Sequence, residues 1–179
     1  MKITVCSSSI EEIDNKYKES AKELLEYLAS IDNAELIWGS GETSLMGMSY
    51  NIFKEHNRKI HGYTTKRYVD MIKNLSYADI KIVDTTFDLK KNIFYDADVI
   101  IYLYGGIGSI SELYSHLEEY RSNYNGNKLL IMYDTEGYSE HILEPLKYTI
   151  KEKFTKDSIF DYIKVVHSLE DLKTILKGE

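Results

Sequence analysis

Short apolar, β-branched runs alternate with longer amphipathic stretches along the whole chain, and that alternation constrains the fold more than any other feature. Strands that recur singly between helices are not joined by hairpins. They pair in parallel, each helix crossing back over one face of the sheet. The runs predict strands near 2–6, 34–38, 58–62, 79–83, 98–103 and 128–133, and helices near 11–30, 44–56, 86–96, 109–124, 138–154 and 169–177. Within 11–30, Tyr17, Ala21, Leu24, Leu25 and Leu28 recur at three-and-four spacing, while Lys18, Glu19, Lys22, Glu23 and Glu26 fill the other side. That is a helix lying on a sheet. The run Val99-Ile100-Ile101-Tyr102-Leu103 lacks alternation, as expected of a strand buried on both faces and therefore central. A binding site is expected at its C-terminal end.

The expected fold class is α/β: a doubly wound, Rossmann-like parallel sheet with helices on both faces, in three α/β/α layers. A chain of 179 residues is long enough to bury its own core, and Pro145 is its only proline. No Pro/Gly/Ser-rich linker or internal repeat divides it, so residues 1–179 read as one domain. The apolar runs are far shorter than the ~20 residues of a membrane span. A net charge of −7, with only Arg58, Arg67 and Arg121 to grip phosphates, argues against a nucleic-acid binder. Cys6 has no partner for a disulfide, and the chain enters an apolar strand after one lysine without a signal-peptide pattern. A cytoplasmic setting is expected. The five histidines are scattered without ligand spacing, so no metal is expected, and Cys6 reads as a core residue.

Two glycine-rich turns carry the chemistry. The first, Trp38-Gly39-Ser40-Gly41-Glu42-Thr43-Ser44-Leu45-Met46-Gly47, joins a strand to a helix. Gly39 and Gly41 can take positive φ or admit a ligand, Thr43 or Ser44 can cap the helix, and the helix start favours an anion. A plain tight turn, with Gly47 allowing close packing, is the structural alternative. The second, Tyr104-Gly105-Gly106-Ile107-Gly108-Ser109-Ile110-Ser111-Glu112, again follows a strand, and its amides form a second anion cradle. Ser109 and Glu112 also fit a capping box, so Glu112 is either a cap or a catalytic carboxylate.

These motifs resemble the LONELY GUY (LOG) family, long labelled lysine decarboxylases, which includes cytokinin riboside 5′-monophosphate phosphoribohydrolases. The family's Cys-Gly-Ser-Ser is similar to Cys6-Ser7-Ser8-Ser9, its Gly-Gly-Gly-x-x-Gly-Leu-Met-Gly to Gly39–Gly47, and its Pro-Gly-Gly-x-Gly-Thr-x-x-Glu to Tyr104–Glu112. Tyr133-Asp134-Thr135-Glu136-Gly137-Tyr138 is similar to the turn after the next strand, which in the family leads to a helix and then a closing strand and helix. The resemblance implies hydrolysis of a nucleoside 5′-monophosphate to free base and ribose 5-phosphate, with no cofactor. It places Glu112 beside the anomeric carbon, the phosphate on Gly105, Gly106, Gly108 and Ser109, and the nucleotide along Gly39, Ser40, Gly41, Ser44 and Met46. The family carries an Arg-Lys pair nine residues ahead of the position of Asp98. Counting back lands on Leu89, with Lys90 and Lys91 following, so either the arginine is absent or a one-residue shift lets Lys90 stand in as the catalytic cation without its planar fork. A homodimer is implied, with Phe87, Phe94, Tyr95, Tyr114, Tyr120 and Tyr124 available to its interface or to the core. Two other functions fit the motifs: a non-catalytic nucleotide sensor, and a deoxyribosyltransferase-like enzyme using Asp96-Ala97-Asp98. No lysine stands in a context for a pyridoxal Schiff base.

Overall fold

The computed structural model describes residues 1–122 and 128–177. Its strands are β1 (Lys2–Cys6), β2 (Glu35–Trp38), β3 (Lys59–Thr65), β4 (Asp79–Val83), β5 (Val99–Tyr102), β6 (Leu129–Tyr133) and β7 (Ile163–Val166). All seven join one parallel sheet in the order β4-β3-β2-β1-β5-β6-β7. The helices are α1 (Asn15–Ser30), α2 (Ser44–Glu55), α3 (Thr86–Tyr95), α4 (Ile107–Ser122), α5 (Tyr138–Lys151) and α6 (Leu169–Lys177). This is the Rossmann-like three-layer architecture. Among the described residues no helix is long and apolar enough to cross a membrane.

The two-residue period of the strands divides the core. Ile3, Val5, Val99 and Ile101 pack with Leu24, Leu28, Phe53 and Leu172 on the face covered by α1, α2 and α6. Cys6, Ile100 and Tyr102 pack with Ile93, Leu113, Leu117 and Leu143 on the face covered by α3, α4 and α5. The chain starts in the middle of the sheet, adds β2 to β4 on one side, crosses back and adds β5 to β7 on the other. The connections after β1 and β5 therefore diverge, and a crevice opens above the C-terminal ends of these two neighbours. β5 is interior as expected, with every residue buried.

The elements depart from expectation in three places. α1 begins at Asn15 rather than 11, because Asp14 caps it through the Lys16 amide at 3.0 Å. α4 begins at Ile107, two residues early, and Tyr124 lies outside the described residues. β7 is only four residues long and contains the exposed Lys164, so its apolar run is too brief to stand out.

Oxygen atoms of the chain itself also satisfy the starts of α3, α5 and α6. α3 has a capping box from Thr85 and Asp88, and Ser168 Oγ accepts the Asp171 amide at the start of α6. Asp134 is fully buried at the start of α5 and accepts the amides of Glu136, Tyr138 and Ser139 at 3.0, 2.9 and 2.7 Å. Burial opposes its ionisation, but the bonds from Ser139, Glu136 and Tyr138 outweigh it and hold the carboxyl below the usual carboxylate range. Asp134→Ala is expected to lower unfolding stability by about 2–4 kcal/mol in urea titrations at pH 7, since three amides lose their acceptor. A depressed carboxyl stabilises fully above its unfolded value, about pH 4, and less as pH falls through the folded one. The gap between wild type and variant should therefore narrow below pH ~4.

Candidate functional site

The loops that leave β1, β2 and β5 enclose a cavity of 240 Å³ above the β1/β5 crevice. Residues Ser7 to Ile10, Gly39 with Met46, and the turn Gly106–Ser109 form its walls, and Glu112 lines it from α4. A second cavity of 450 Å³ shares Ser9, Ile10, Gly39 and Met46 with the first and continues past Ser40 and Gly41 to Tyr68 and Met71. The two form one groove across the C-terminal edge of the sheet.

The turn after β5 is held from beneath. The Tyr104 ring packs on Tyr17 at 4.6 Å between centroids and edge-on to Tyr138 at 5.7 Å. Its hydroxyl meets Ser20 Oγ at 2.9 Å and accepts the Thr135 amide at 3.1 Å, while the Tyr138 hydroxyl donates to the Gly105 carbonyl at 2.5 Å. A Cβ on Gly105 would lie 2.2 Å from Ser109 Oγ, which is why glycine stands there. Ser109 sits inside the first turn of α4 and is not its cap, so the Ser109–Glu112 capping box is not formed. Its failure follows from the early helix start: with Ile107 already helical, the N-cap position falls before Ser109. Among the described residues no side chain accepts the amides of Ile107, Gly108 or Ser109, which have no intrahelical acceptor.

The first turn differs from expectation. Positive φ occurs at Ser40 (59°) and Ser44 (51°), not at Gly39 or Gly41. Gly47 is required by contact, because a Cβ there would lie 2.2 Å from the Glu42 carbonyl oxygen. The start of α2 is already filled: the Ser44 amide donates to a Glu11 carboxylate oxygen at 2.7 Å and the Met46 amide to the Ser8 carbonyl at 3.1 Å. Neither Thr43 nor Ser44 caps it, and the Thr43 hydroxyl donates instead to the Ser9 carbonyl at 2.7 Å. A carboxylate of the chain thus holds the place expected for an anion. Among the described residues the buried hydroxyls of Ser7, Ser40 and Ser44 find no hydrogen-bond partner.

Of the expected site residues, Gly39, Met46, Gly106, Gly108, Ser109 and Glu112 line the first cavity, and Ser40 and Gly41 line the second. Ser44 faces a separate depression between α1 and α2, and Lys90 faces one between α3 and α4. Among the described residues no lysine or arginine lines the first cavity. Burial raises the Glu112 carboxyl to about 7, although a hydrogen bond from the Cys6 thiol and the charge of Lys90 act in the opposite direction. Cys6 is a core residue as expected, but it is also the partner of Glu112, and burial followed by that carboxylate pushes its thiol up. The Lys90 ammonium donates to Ser111 Oγ beside Glu112. Leu89 reaches toward the groove, with Cδ2 4.0 Å from where a Gly39 Cβ would be. Asp98 lies at the opposite edge of the sheet, accepting the Lys2 amide at 2.8 Å, and contributes nothing here. Among the described residues no group of three or more His, Cys, Asp or Glu could hold a metal ion.

The model of the family described as "possible lysine decarboxylase" matches residues 42–176. The chain belongs to that family, the LONELY GUY group. No curated protein sequence matches it. Among solved structures it is similar to the molybdenum cofactor carrier protein of Chlamydomonas reinhardtii, with 14% identity and TM-score 0.69, over 99% of this chain and 96% of that one. The molybdenum cofactor binding protein of Rippkaea orientalis gives 16% identity and TM-score 0.69 over 99% and 95%. DNA processing protein A of Streptococcus pneumoniae gives 10% identity and TM-score 0.61 over 97% of this chain and 60% of that one. Three such different proteins share a fold with the LONELY GUY chain and do not fix its chemistry. Pyridoxal-dependent decarboxylation uses a lysine that holds the cofactor as a Schiff base, and among the described residues none lines the first cavity.

Glu112→Gln separates a strained carboxylate from a helix cap. A carboxyl raised to about 7 makes the folded state lose stability as pH climbs from about 4.5 through 7, because the unfolded chain ionises first. Glu112→Gln is therefore expected to match wild type at pH 4 and exceed it by about 1–3 kcal/mol at pH 8 in thermal or urea unfolding. A cap would instead make the variant equal or weaker at both pH values.

Proposed function

We propose that this LONELY GUY protein hydrolyses nucleoside 5′-monophosphates to free base and ribose 5-phosphate. The observation that carries the reading is the start of α4: the other five helix starts bind a side-chain oxygen of the chain itself, whereas among the described residues the Ile107–Ser109 amides have no such acceptor, and these three residues line the same cavity as Glu112. A helix start of that kind binds phosphate through its amides and dipole. Glu112 lies five residues beyond Ile107, about 7.5 Å along the helix axis, within reach of a sugar whose phosphate occupies the turn. Water attacks the anomeric carbon, Glu112 takes its proton, and the bond electrons leave with the base, which is then protonated. A carboxyl near 7 is close to the operating pH, where a general base works best. The second cavity supplies room for the base between Met46 and Tyr68.

A non-catalytic carrier or sensor is the second reading. Leu89 favours it, because the position of the family's arginine is apolar here. The structural neighbours, a molybdenum cofactor carrier protein and a molybdenum cofactor binding protein, support the same reading.

Calorimetry should show AMP binding more tightly than adenosine, and equal or weaker AMP affinity would remove the phosphate cradle. Mass spectrometry of a mixed nucleotide panel, before and after incubation, identifies any substrate. Glu112→Gln should leave nucleotide affinity within a few-fold and cut ribose 5-phosphate release by about a hundredfold or more. Binding without release in wild type would favour the carrier.

We also propose a homodimer built on α3. Phe94 is buried in the core and Tyr114 and Tyr120 are half-buried, which leaves Phe87 (76% exposed) and Tyr95 (45%) as anchors beside the exposed Ile82. Light scattering should give about twice the 20.8 kDa chain mass, falling to the monomer in Phe87→Glu. A wild-type monomer at micromolar concentration would exclude the dimer.

A further inference from the structure

His116 is 2% exposed, lies one turn beyond Glu112 on the same face of α4, and packs its ring on Phe94 of α3 at 5.1 Å between centroids. Its Nε2 meets the Lys90 carbonyl oxygen at 3.1 Å and its Nδ1 meets the Tyr102 hydroxyl at 2.7 Å. A carbonyl can only accept, so Nε2 carries the proton, and Nδ1 accepts from Tyr102. One neutral ring thereby ties α4 to α3 and to β5 beneath the cavity. The Lys90 side chain continues the connection, because its ammonium donates to Ser111 Oγ, next in sequence to Glu112.

We propose that His116 is a positioning residue, holding α3 against α4 so that the Lys90 ammonium stays beside the Glu112 carboxyl without entering the ligand cavity. The inference rests on the reading of Glu112 as the reacting carboxylate, and it adds the device that keeps the lysine in place. Sequence distance hides it, since the residues at 90, 102, 112 and 116 come from three elements. The imidazole suits the task because burial holds its pKa down at about 4, so it remains neutral and keeps one donor and one acceptor over the working range. The charged and titratable groups around it are Lys90 on α3, Lys128 just before β6, Tyr102 on β5, and Glu119 on α4, which lines the same depression. Glu112 is faced by Cys6 on β1, Lys90 on α3 and Tyr102 on β5. Detaching Lys90 removes a charge that favours the carboxylate, and the carboxyl then protonates more readily.

The test follows the Glu112 carboxyl by 13C NMR titration of the ligand-free protein, a readout that needs no activity. His116→Phe keeps the ring volume and removes both bonds, and it is expected to raise the Glu112 midpoint by about half a pH unit or more. Lys90→Met should raise it similarly, and the double variant no further than the larger single shift, because both act through one contact. His116→Gln, which keeps a donor for the Lys90 carbonyl, should stay near wild type. A folded His116→Phe with an unmoved midpoint, while Lys90→Met shifts it, would overturn the proposal. If His116→Phe does not fold, Tyr102→Phe takes its place: an upward shift supports the relay and an unchanged midpoint rejects it. A protein with no hydrolase activity but with these shifts would refute the proposed reaction and leave the positioning role standing.

Discussion

The parallel pairing of β1 with β5 is the constraint on which the rest of the structure depends. It joins residues 96 positions apart, with Ile3 opposite Val99 and Cys6 opposite Tyr102, and places the start of the chain at the centre of the sheet. Closing so long a loop is entropically unfavourable, and the offset is burial of β1 and β5 on both faces. The same register makes the reversal point of the sheet, so the crevice above it is a consequence of the packing. It also sets Cys6 and Tyr102 side by side under α4, where one hydrogen-bonds Glu112 and the other His116.

Local rules are broken in the turn between β2 and α2 and at the start of α4, as they also are in backbone at Asn33, Asn57 and Lys153. Ser40 and Ser44 have left-handed backbone, which costs a non-glycine residue roughly 1–2 kcal/mol, and among the described residues their buried hydroxyls find no partner. The α4 amides forgo a cap that is typically worth ~1 kcal/mol. The starts of the other five helices find acceptors among the described residues, down to the three amides collected by Asp134. Stability given up in one place and secured in others is the pattern of a site built for something other than folding.

Much of this was legible in the sequence, and the remainder was hidden for physical reasons. The alternation of runs located six of the strands, because strands buried on both faces are continuous apolar runs. The second glycine turn and Glu112 were legible because strand, glycine turn and helix are consecutive. Glu11 was not: it reaches the Ser44 amide across 33 residues, and no local pattern distinguishes it from the acids around it. The apparent capping box at Ser109 misled because α4 gains two residues at its start, so that a correct local motif stands at the wrong helical position. His116 looked like one of five scattered histidines, and only the meeting of α3, α4 and β5 gives it partners.

The absence of a cation, among the described residues, from the lining of the first cavity has an electrostatic consequence. A phosphate on the α4 turn would meet only the helix start, equivalent to about half a positive charge, while Glu112 stands on the same helix about 7.5 Å away. Two anions at that range repel, so bound phosphate pushes the Glu112 carboxyl further up, and by reciprocity a protonated Glu112 favours phosphate binding. Lys90 opposes this from outside the cavity, where Ser111 holds its ammonium. On the proposed reading, the ionisation of Glu112 would be set by three competing influences: burial, the phosphate of a bound nucleotide, and a lysine that approaches from behind. With its carboxyl near 7 in the free protein, small changes in any of them move it between donor and acceptor of a proton, the range that the proposed N-glycosidic hydrolysis would ask of a single carboxyl.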